Sequence, residues 1–127
     1  MVISSYEKNG VAVVEIKGRL AAESVEDLRN AFLKLFADHR RFVFDLAGMD
    51  YLDSTGLGAI VFCLKSCTEF NGTFKLANLT DKPRMIFEIT KAYRIFDIYD
   101  SLEEAINAAK EWKSYLCATS GMLLRGL

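Results

Sequence analysis

This 127-residue chain contains little histidine or cysteine, and its net charge is close to zero. The single histidine, His39, has no second imidazole to work with, so a histidine-based catalytic triad cannot be assembled. Three cysteines are an odd number in a chain long enough to fold without disulfides. The formal net charge of -1 contains no basic excess of the kind that nucleic acid or a membrane surface attracts. We therefore expect no catalytic activity, no nucleic-acid partner and no membrane partner.

Long apolar runs are also missing. The longest, Leu57 to Leu64, is far shorter than the roughly 20 residues that cross a bilayer. Residues 1–8 lack a basic start followed by an apolar run, so no signal peptide is predicted. We expect a cytoplasmic, reduced protein with one domain over residues 1–115 and a flexible tail over residues 116–127.

The hydrophobic pattern predicts an alternation of strands and helices. Strands at 3–6 and 11–20 flank Asn9-Gly10, a dipeptide typical of a type I′ hairpin. Further strands are predicted at 42–46, 73–79 and 95–99. Helices are predicted to begin near Glu23, Thr55, Asp81 and Ser101, and residues 49–54 are predicted to form a loop. For the third helix, we expect Met85, Ile86 and Ile89 to supply the core stripe.

The predicted element order is β-β-α-β-α-β-α-β-α. Strands that alternate with helices favour an α/β sandwich with a mixed, mostly parallel sheet. The segment Ser101-Leu102-Glu103-Glu104 carries a capping-box signature at the start of the last helix. No internal repeat or linker interrupts residues 1–115.

The segment from Asp53 to Gly58 joins a loop to the start of the strongly apolar second helix. The first N–H groups of a helix lack partners and attract negative charge, so Asp53 or Ser54 is predicted to cap it. Gly56 and Gly58 cost helix stability, about 1 kcal/mol each relative to alanine. Either they let another protein approach Ser54 closely, or they pack the helix tightly on the sheet. The spacing alone favours neither interpretation.

The motif Tyr51-Leu52-Asp53-Ser54-Thr55-Gly56-Leu57-Gly58 resembles the signature loop of the STAS family, which includes bacterial anti-sigma-factor antagonists. Further resemblance lies in Gly18-Arg19-Leu20 at a strand end, in the strand at 42–46, and in residues 95–105. The similarity extends over about residues 1–112.

This resemblance implies a small α/β binding module without catalytic activity or cofactor. In the family, the serine after the motif aspartate, here Ser54, is phosphorylated by an ATPase-type kinase that is also the anti-sigma factor. The unmodified antagonist binds this partner, the phosphorylated form does not, and a phosphatase resets the serine. The partner contacts are then expected at Asp53, Ser54, Thr55, Gly56, Leu57 and Gly58.

One position departs from the family pattern. Many antagonists carry an aspartate directly after the Gly-x-Leu/Ile strand, whereas here Leu20 is followed by Ala21-Ala22-Glu23. Glu23 is the candidate substitute in partner binding, displaced by two residues.

Other candidate sites have simpler interpretations. Cys63 and Cys67 share one helix face, and without paired ligands on a second segment they are predicted to be core residues rather than metal ligands. His39 is predicted to lie on the surface at a helix end. The aromatic residues Tyr51, Phe70, Tyr93 and Tyr99 are candidate partner anchors, although most of them are expected to be core or half-buried.

Two alternative functions remain open at this point. The chain could be a STAS scaffold subunit of another complex, stressosome-like or for lipid transport, in which Ser54 is structural. It could also be a weak nucleotide-binding domain, although Ser54 to Gly58 lacks the Walker lysine and the Gly-x-Gly-x-x-Gly spacing.

Overall fold

The computed structural model describes residues 1–119 of the chain. The strands are β1 (Val2–Lys8), β2 (Val11–Leu20), β3 (Arg41–Asp45), β4 (Met49–Leu52), β5 (Thr73–Ala77) and β6 (Asp97–Tyr99). The helices are α1 (Val25–Phe36), α2 (Ser54–Glu69), α3 (Asp81–Ile89) and α4 (Leu102–Thr119), with a 3₁₀ turn at Ala92–Arg94.

A single mixed sheet organises these elements. Its order is β1-β2-β3-β5-β6, and β4 pairs with the end of β2 beyond β3. Only the β1–β2 pair is antiparallel; the remaining pairs are parallel. The predicted α/β class with a mostly parallel sheet is confirmed.

The hairpin between β1 and β2 follows the sequence prediction. Asn9 and Gly10 both have positive φ angles, 56° and 79°, as a type I′ turn requires. Lys8 pairs with Val11 across this two-residue turn.

Residues 49–54 are not a loop throughout, and this prediction was wrong. Met49–Leu52 forms β4, a sixth strand that runs parallel to the end of β2. Met49 and Leu52 are buried, whereas Asp50 and Tyr51 are exposed. A strand this short, with buried residues at both ends, lacks the period-two alternation by which strands are usually identified.

The two faces of the sheet carry different cores. Alternate residues of β2 and β3, such as Val14 and Phe44, face a large core that includes Leu28, Phe32 and Ile60 of α1 and α2. The opposite face carries a smaller core, in which Ala105, Ile106 and Ala109 of α4 pack on strand residues. Helices α1, α2 and α3 therefore share one side of the sheet, and α4 covers the other.

Helix α3 turns a different face to the core than the sequence predicted. Pro83 and Phe87 are buried, whereas Met85 and Ile89 are 57% and 72% exposed. Phe87 packs edge-on against Phe96, with ring centroids 5.4 Å apart. The larger aromatic side chain thus sets the orientation of this short helix. The expectation that Met85 and Ile89 belong to the core was wrong. Of the three residues predicted to supply the core stripe, only Ile86 packs against the core.

The last elements also differ in their bounds from the prediction. The final strand is three residues long, Asp97–Tyr99, and begins two residues later than predicted, after a 3₁₀ turn at Ala92–Arg94. The hydroxyl of Ser101 accepts a hydrogen bond from the backbone N–H of Glu104 at 3.1 Å, as the capping signature predicted. Helix α4 includes residues 116–119, which were assigned to a tail, and residues 120–127 lie outside the described residues. Within residues 1–119, no helix is long and apolar enough to cross a bilayer.

Candidate functional site

Ser54 is the first residue of α2, and its side chain is exposed. Asp53 is the N-cap, and its Oδ1 accepts a hydrogen bond from the backbone N–H of Gly56 at 2.8 Å. This bond satisfies one of the unpaired N–H groups with which a helix begins. Asp53 therefore holds the helix start in place, and Ser54 is the residue presented to solvent.

The two glycines of the motif have opposite surroundings. A Cβ on Gly56 would lie 2.4 Å from the carbonyl oxygen of Leu20, so this glycine allows α2 to approach the end of β2. A Cβ on Gly58 would meet nothing within 4 Å. Gly58 and Thr55 are exposed, whereas Gly56 and Leu57 are buried. Gly56 therefore packs α2 against the end of β2, and Gly58 leaves open space beside the helix start.

The loop after β2 lies beside the start of α2. Leu20 pairs with Leu52, two residues before Ser54. The buried hydroxyl of Ser24 accepts a hydrogen bond from the N–H of Ala21 and donates one to the carbonyl of Arg19, each at 3.0 Å. These bonds fix the loop that carries Glu23. Glu23 is thus on the same edge of the molecule as the Ser54 motif.

Glu23 is paired with Arg19, a residue that the sequence analysis did not select. The Nε of Arg19 donates a hydrogen bond to Oε1 of Glu23 at 2.9 Å. A hydrogen bond within Glu23 itself and the bond from Arg19 lower the pKa of this carboxyl, so it stays ionised. The Arg19 guanidinium also stacks over the Tyr51 ring, 3.8 Å from its centroid. The four-residue spacing of Arg19 and Glu23 was visible in the sequence, but the contact with Tyr51 depends on the β2–β4 pairing.

The charges nearest to Ser54 in the chain are carboxylates. Asp50 is exposed on β4, and Asp53 is half-buried in its capping position. A phosphate on Ser54 would add a further charge of about -1.5 to -2 close to these two side chains.

Cys63 and Cys67 are buried on the core side of α2, as predicted. Burial raises the pKa of both thiols, that of Cys67 to about 12. They therefore remain protonated thiols in the core, which makes them poor nucleophiles and poor metal ligands.

The remaining candidates are placed as follows. His39 lies just beyond the end of α1, as predicted, but its side chain is only 17% exposed and is therefore half-buried rather than on the surface. Its Nδ1 is 3.1 Å from the carbonyl oxygen of Leu35, and its Nε2 is 2.9 Å from Oε1 of Glu7. Of the four aromatic candidates, only Tyr99 is half-buried. Tyr51, Phe70 and Tyr93 are 38%, 58% and 46% exposed, so the expectation that most of the four are covered was wrong.

The fold and this site define a class of small α/β protein with an exposed serine at the start of a helix. The family model described as the STAS domain matches residues 2–105. The anti-sigma-B factor antagonist of Bacillus subtilis (strain 168) is 33% identical over 85 residues, which are 67% of this chain and 78% of that protein. The chain therefore belongs to the STAS domain family.

Solved structures agree with this assignment of the fold. An anti-sigma factor antagonist from Mycobacterium paratuberculosis matches with a TM-score of 0.79 and 22% identity, covering 86% of this chain and 93% of that one. The Bacillus cell fate determinant SpoIIAA in its phosphorylated form matches with a TM-score of 0.67 and 17% identity, covering 84% and 98%.

Proposed function

We propose that this chain is an anti-sigma-factor antagonist whose binding is switched off by phosphorylation of Ser54. The observation that carries the proposal is the exposed Ser54 side chain at the start of α2, with open space at Gly58 one turn further along. The anti-sigma-B factor antagonist of Bacillus subtilis is a relative by sequence, and a structural relative has been solved in a phosphorylated form. Both support this function.

The proposed partner is an anti-sigma factor that is also an ATPase-type serine kinase. The unmodified chain binds it and thereby frees the sigma factor, and a phosphatase resets Ser54 after phosphorylation. Ser54, Thr55 and Gly58 are exposed, so they can contact the partner directly, and the exposed Glu23 belongs to the same partner-binding region. Asp53, Gly56 and Leu57 support that contact by holding the helix start in place.

The switch needs only local electrostatics. A phosphate on Ser54 adds about -1.5 to -2 charges to a surface that already carries Asp50 and Asp53. In an interface, a few kcal/mol of repulsion and desolvation lowers affinity by two or more orders of magnitude, since each ~1.4 kcal/mol is tenfold. The chain acts in this proposal as a binding module rather than an enzyme.

The test uses purified ATPase-type anti-sigma factors encoded by the source organism. Each is incubated with the chain and ATP, and mass spectrometry locates any phosphate. We expect modification at Ser54, abolished in Ser54→Ala. Ser54→Asp should bind the kinase about a hundredfold more weakly than the unphosphorylated wild type does, and its melting temperature should not fall.

Ser5→Asp is the matched control, because Ser5 is an exposed serine on β1. It should bind as tightly as the wild type. If Ser54→Asp binds equally well, the switch does not exist. If no kinase modifies Ser54 but the chain assembles with another complex, the scaffold function replaces the proposed one.

A further inference from the structure

Arg19, Tyr51 and Glu23 form an exposed group of contacting side chains, the Arg19 cluster, next to the Ser54 motif. We propose that the Arg19 cluster is a second contact surface for the protein partner. In this contact, Arg19 receives an acidic side chain of the partner, Tyr51 packs beneath it, and Glu23 positions Arg19. The inference rests on the proposed function, because the partner is the one that binds at Ser54.

The Arg19 cluster lies close to Ser54 along the chain and in the β2–β4 ladder. Arg19 pairs with Tyr51 in the β2–β4 ladder, and Leu20 pairs with Leu52 in the next step. Only Asp53 separates Leu52 from Ser54 in the chain. The close approach of Gly56 to the Leu20 carbonyl fastens α2 to the same strand end. Tyr51 of the cluster is thus three residues from Ser54, a separation that a single protein interface of ordinary size can span.

The side chains of the cluster already contact one another in the chain without its partner. The guanidinium carbon of Arg19 lies 3.8 Å from the Tyr51 ring centroid, and Nε is 2.9 Å from Oε1 of Glu23. The backbone beneath them is held by the buried hydroxyl of Ser24. Side chains that are already fixed lose less conformational entropy on binding, which favours affinity.

The exposure of the cluster indicates a role in binding rather than in folding. The side chains of Arg19 and Glu23 are 54% and 63% exposed, and ion pairs this exposed contribute little to stability. Arginine and tyrosine are, in contrast, enriched among the residues that dominate binding energy at interfaces.

The chemistry of Arg19 indicates what the partner supplies. The bond to Glu23 uses one of five N–H donors on the guanidinium, and its planar shape suits a carboxylate. Glu23 is bonded to Arg19, and Asp50 and Asp53 lie within two residues of Tyr51 in the chain, so the guanidinium is the group of this segment that attracts an acidic side chain. The partner is therefore expected to place an Asp or Glu here.

Calorimetry measures how tightly unphosphorylated variants of this chain bind the anti-sigma factor kinase that modifies Ser54. We expect Arg19→Ala and Tyr51→Ala each to weaken binding at least about tenfold, with the melting temperature unchanged. Arg19→Glu should weaken it further. The matched control is the double variant Tyr93→Ala/Arg94→Ala, an exposed tyrosine–arginine pair in the 3₁₀ turn, which should bind like the wild type.

A double-mutant cycle tests the positioning role of Glu23. Glu23→Gln should weaken binding several-fold in the wild type and have no further effect in Arg19→Ala, since Glu23 acts through Arg19. Additive losses would show that Glu23 contacts the partner independently and would overturn its positioning role.

The outcomes separate this inference from the proposed function. If Ser54→Asp abolishes binding but Arg19→Ala and Tyr51→Ala bind like the wild type, the second contact is wrong and the Ser54 switch stands. Tighter binding by Arg19→Glu would mean a basic partner surface and would also overturn the inference. If no ATPase-type anti-sigma factor binds the wild-type chain, both proposals fall.

Discussion

Gly56 and Gly58 are two residues apart in α2, and their environments differ in what an added methyl group would meet. At Gly56 the nearest atoms would be the Leu20 carbonyl oxygen at 2.4 Å and the Leu52 Cδ1 at 2.9 Å. At Gly58 there is open space. The sequence places both glycines in the first turns of a helix, but only the packing of α2 on β2 assigns them separate roles.

The same substitution should therefore have opposite effects at the two positions. Gly56→Ala should lower the free energy of unfolding by about 1–3 kcal/mol, because backbone atoms of Leu20 must move. Gly58→Ala should raise it by up to about 1 kcal/mol, since alanine is the better helix former in open space. Urea denaturation of both variants measures the difference. Equal effects at the two positions would contradict the packing described for Gly56.

At the scale of single elements, α2 shows how a helix start serves both folding and function. Asp53 caps the helix through Gly56, and this leaves the neighbouring Ser54 free of any capping role. The sequence left open whether Asp53 or Ser54 is the cap, because both residue types are good N-caps. The backbone decides it: Asp53 has an extended conformation, and Ser54 is already helical.

Substitution of the cap should separate these roles. Asp53→Ala should lower the free energy of unfolding by about 1 kcal/mol, whereas Asp53→Asn and Ser54→Ala should change it by only a few tenths. Thermal unfolding of the three variants measures this. A larger loss of stability in Ser54→Ala than in Asp53→Ala would show that Ser54, not Asp53, is the N-cap.

The contact of His39 with Glu7 joins the β1–β2 hairpin to the end of α1. The hydrogen bond to Glu7 raises the pKa of His39 above its usual value near 6.5. The protonated form therefore stabilises the fold, and its contribution is complete below that usual value. It is lost as pH rises through the higher pKa of the folded state.

The stability difference between the wild type and His39→Gln should therefore be larger at about pH 5.5 than at about pH 8.5, where it should nearly vanish. The difference should stay within about 1 kcal/mol, because Glu7 is largely exposed. Urea denaturation at both pH values measures it, and Glu7→Gln is the control that should reduce the pH dependence, because the bond to Glu7 is the largest cause of the raised pKa of His39. A larger stability difference at the higher pH would contradict a raised pKa for His39 in the folded state.

At the scale of the whole molecule, one aromatic side chain links the first two helices to the sheet. The Phe32 ring lies 4.8 Å from that of Phe42 on β3, 6.5 Å from that of Phe44 and 6.3 Å from that of Phe62 on α2, between ring centroids. Phe32 is fully buried, so its loss leaves a cavity between three elements.

Phe32→Ala should lower the free energy of unfolding by about 3–5 kcal/mol, a large part of the total for a domain of this size. The control is Phe70→Ala, whose side chain is 58% exposed and should cost about 1 kcal/mol or less. Urea denaturation followed by circular dichroism measures both. A loss of less than about 1 kcal/mol in Phe32→Ala would contradict the central place of this ring.

Sequence by itself determined the α/β class, the Asn9-Gly10 turn, the buried cysteines and the position of Ser54 at a helix start. These features follow from local conformational preference and from the period of the apolar residues, which neighbouring residues in the chain suffice to express. Tertiary structure decided what depends on contacts between distant segments. These are the pairing of β4 with β2, the outward turn of Met85 and Ile89, and the meeting of Arg19 with Tyr51. In each case the deciding free energy comes from packing between residues that are far apart in the chain. Local conformational preference does not include this packing.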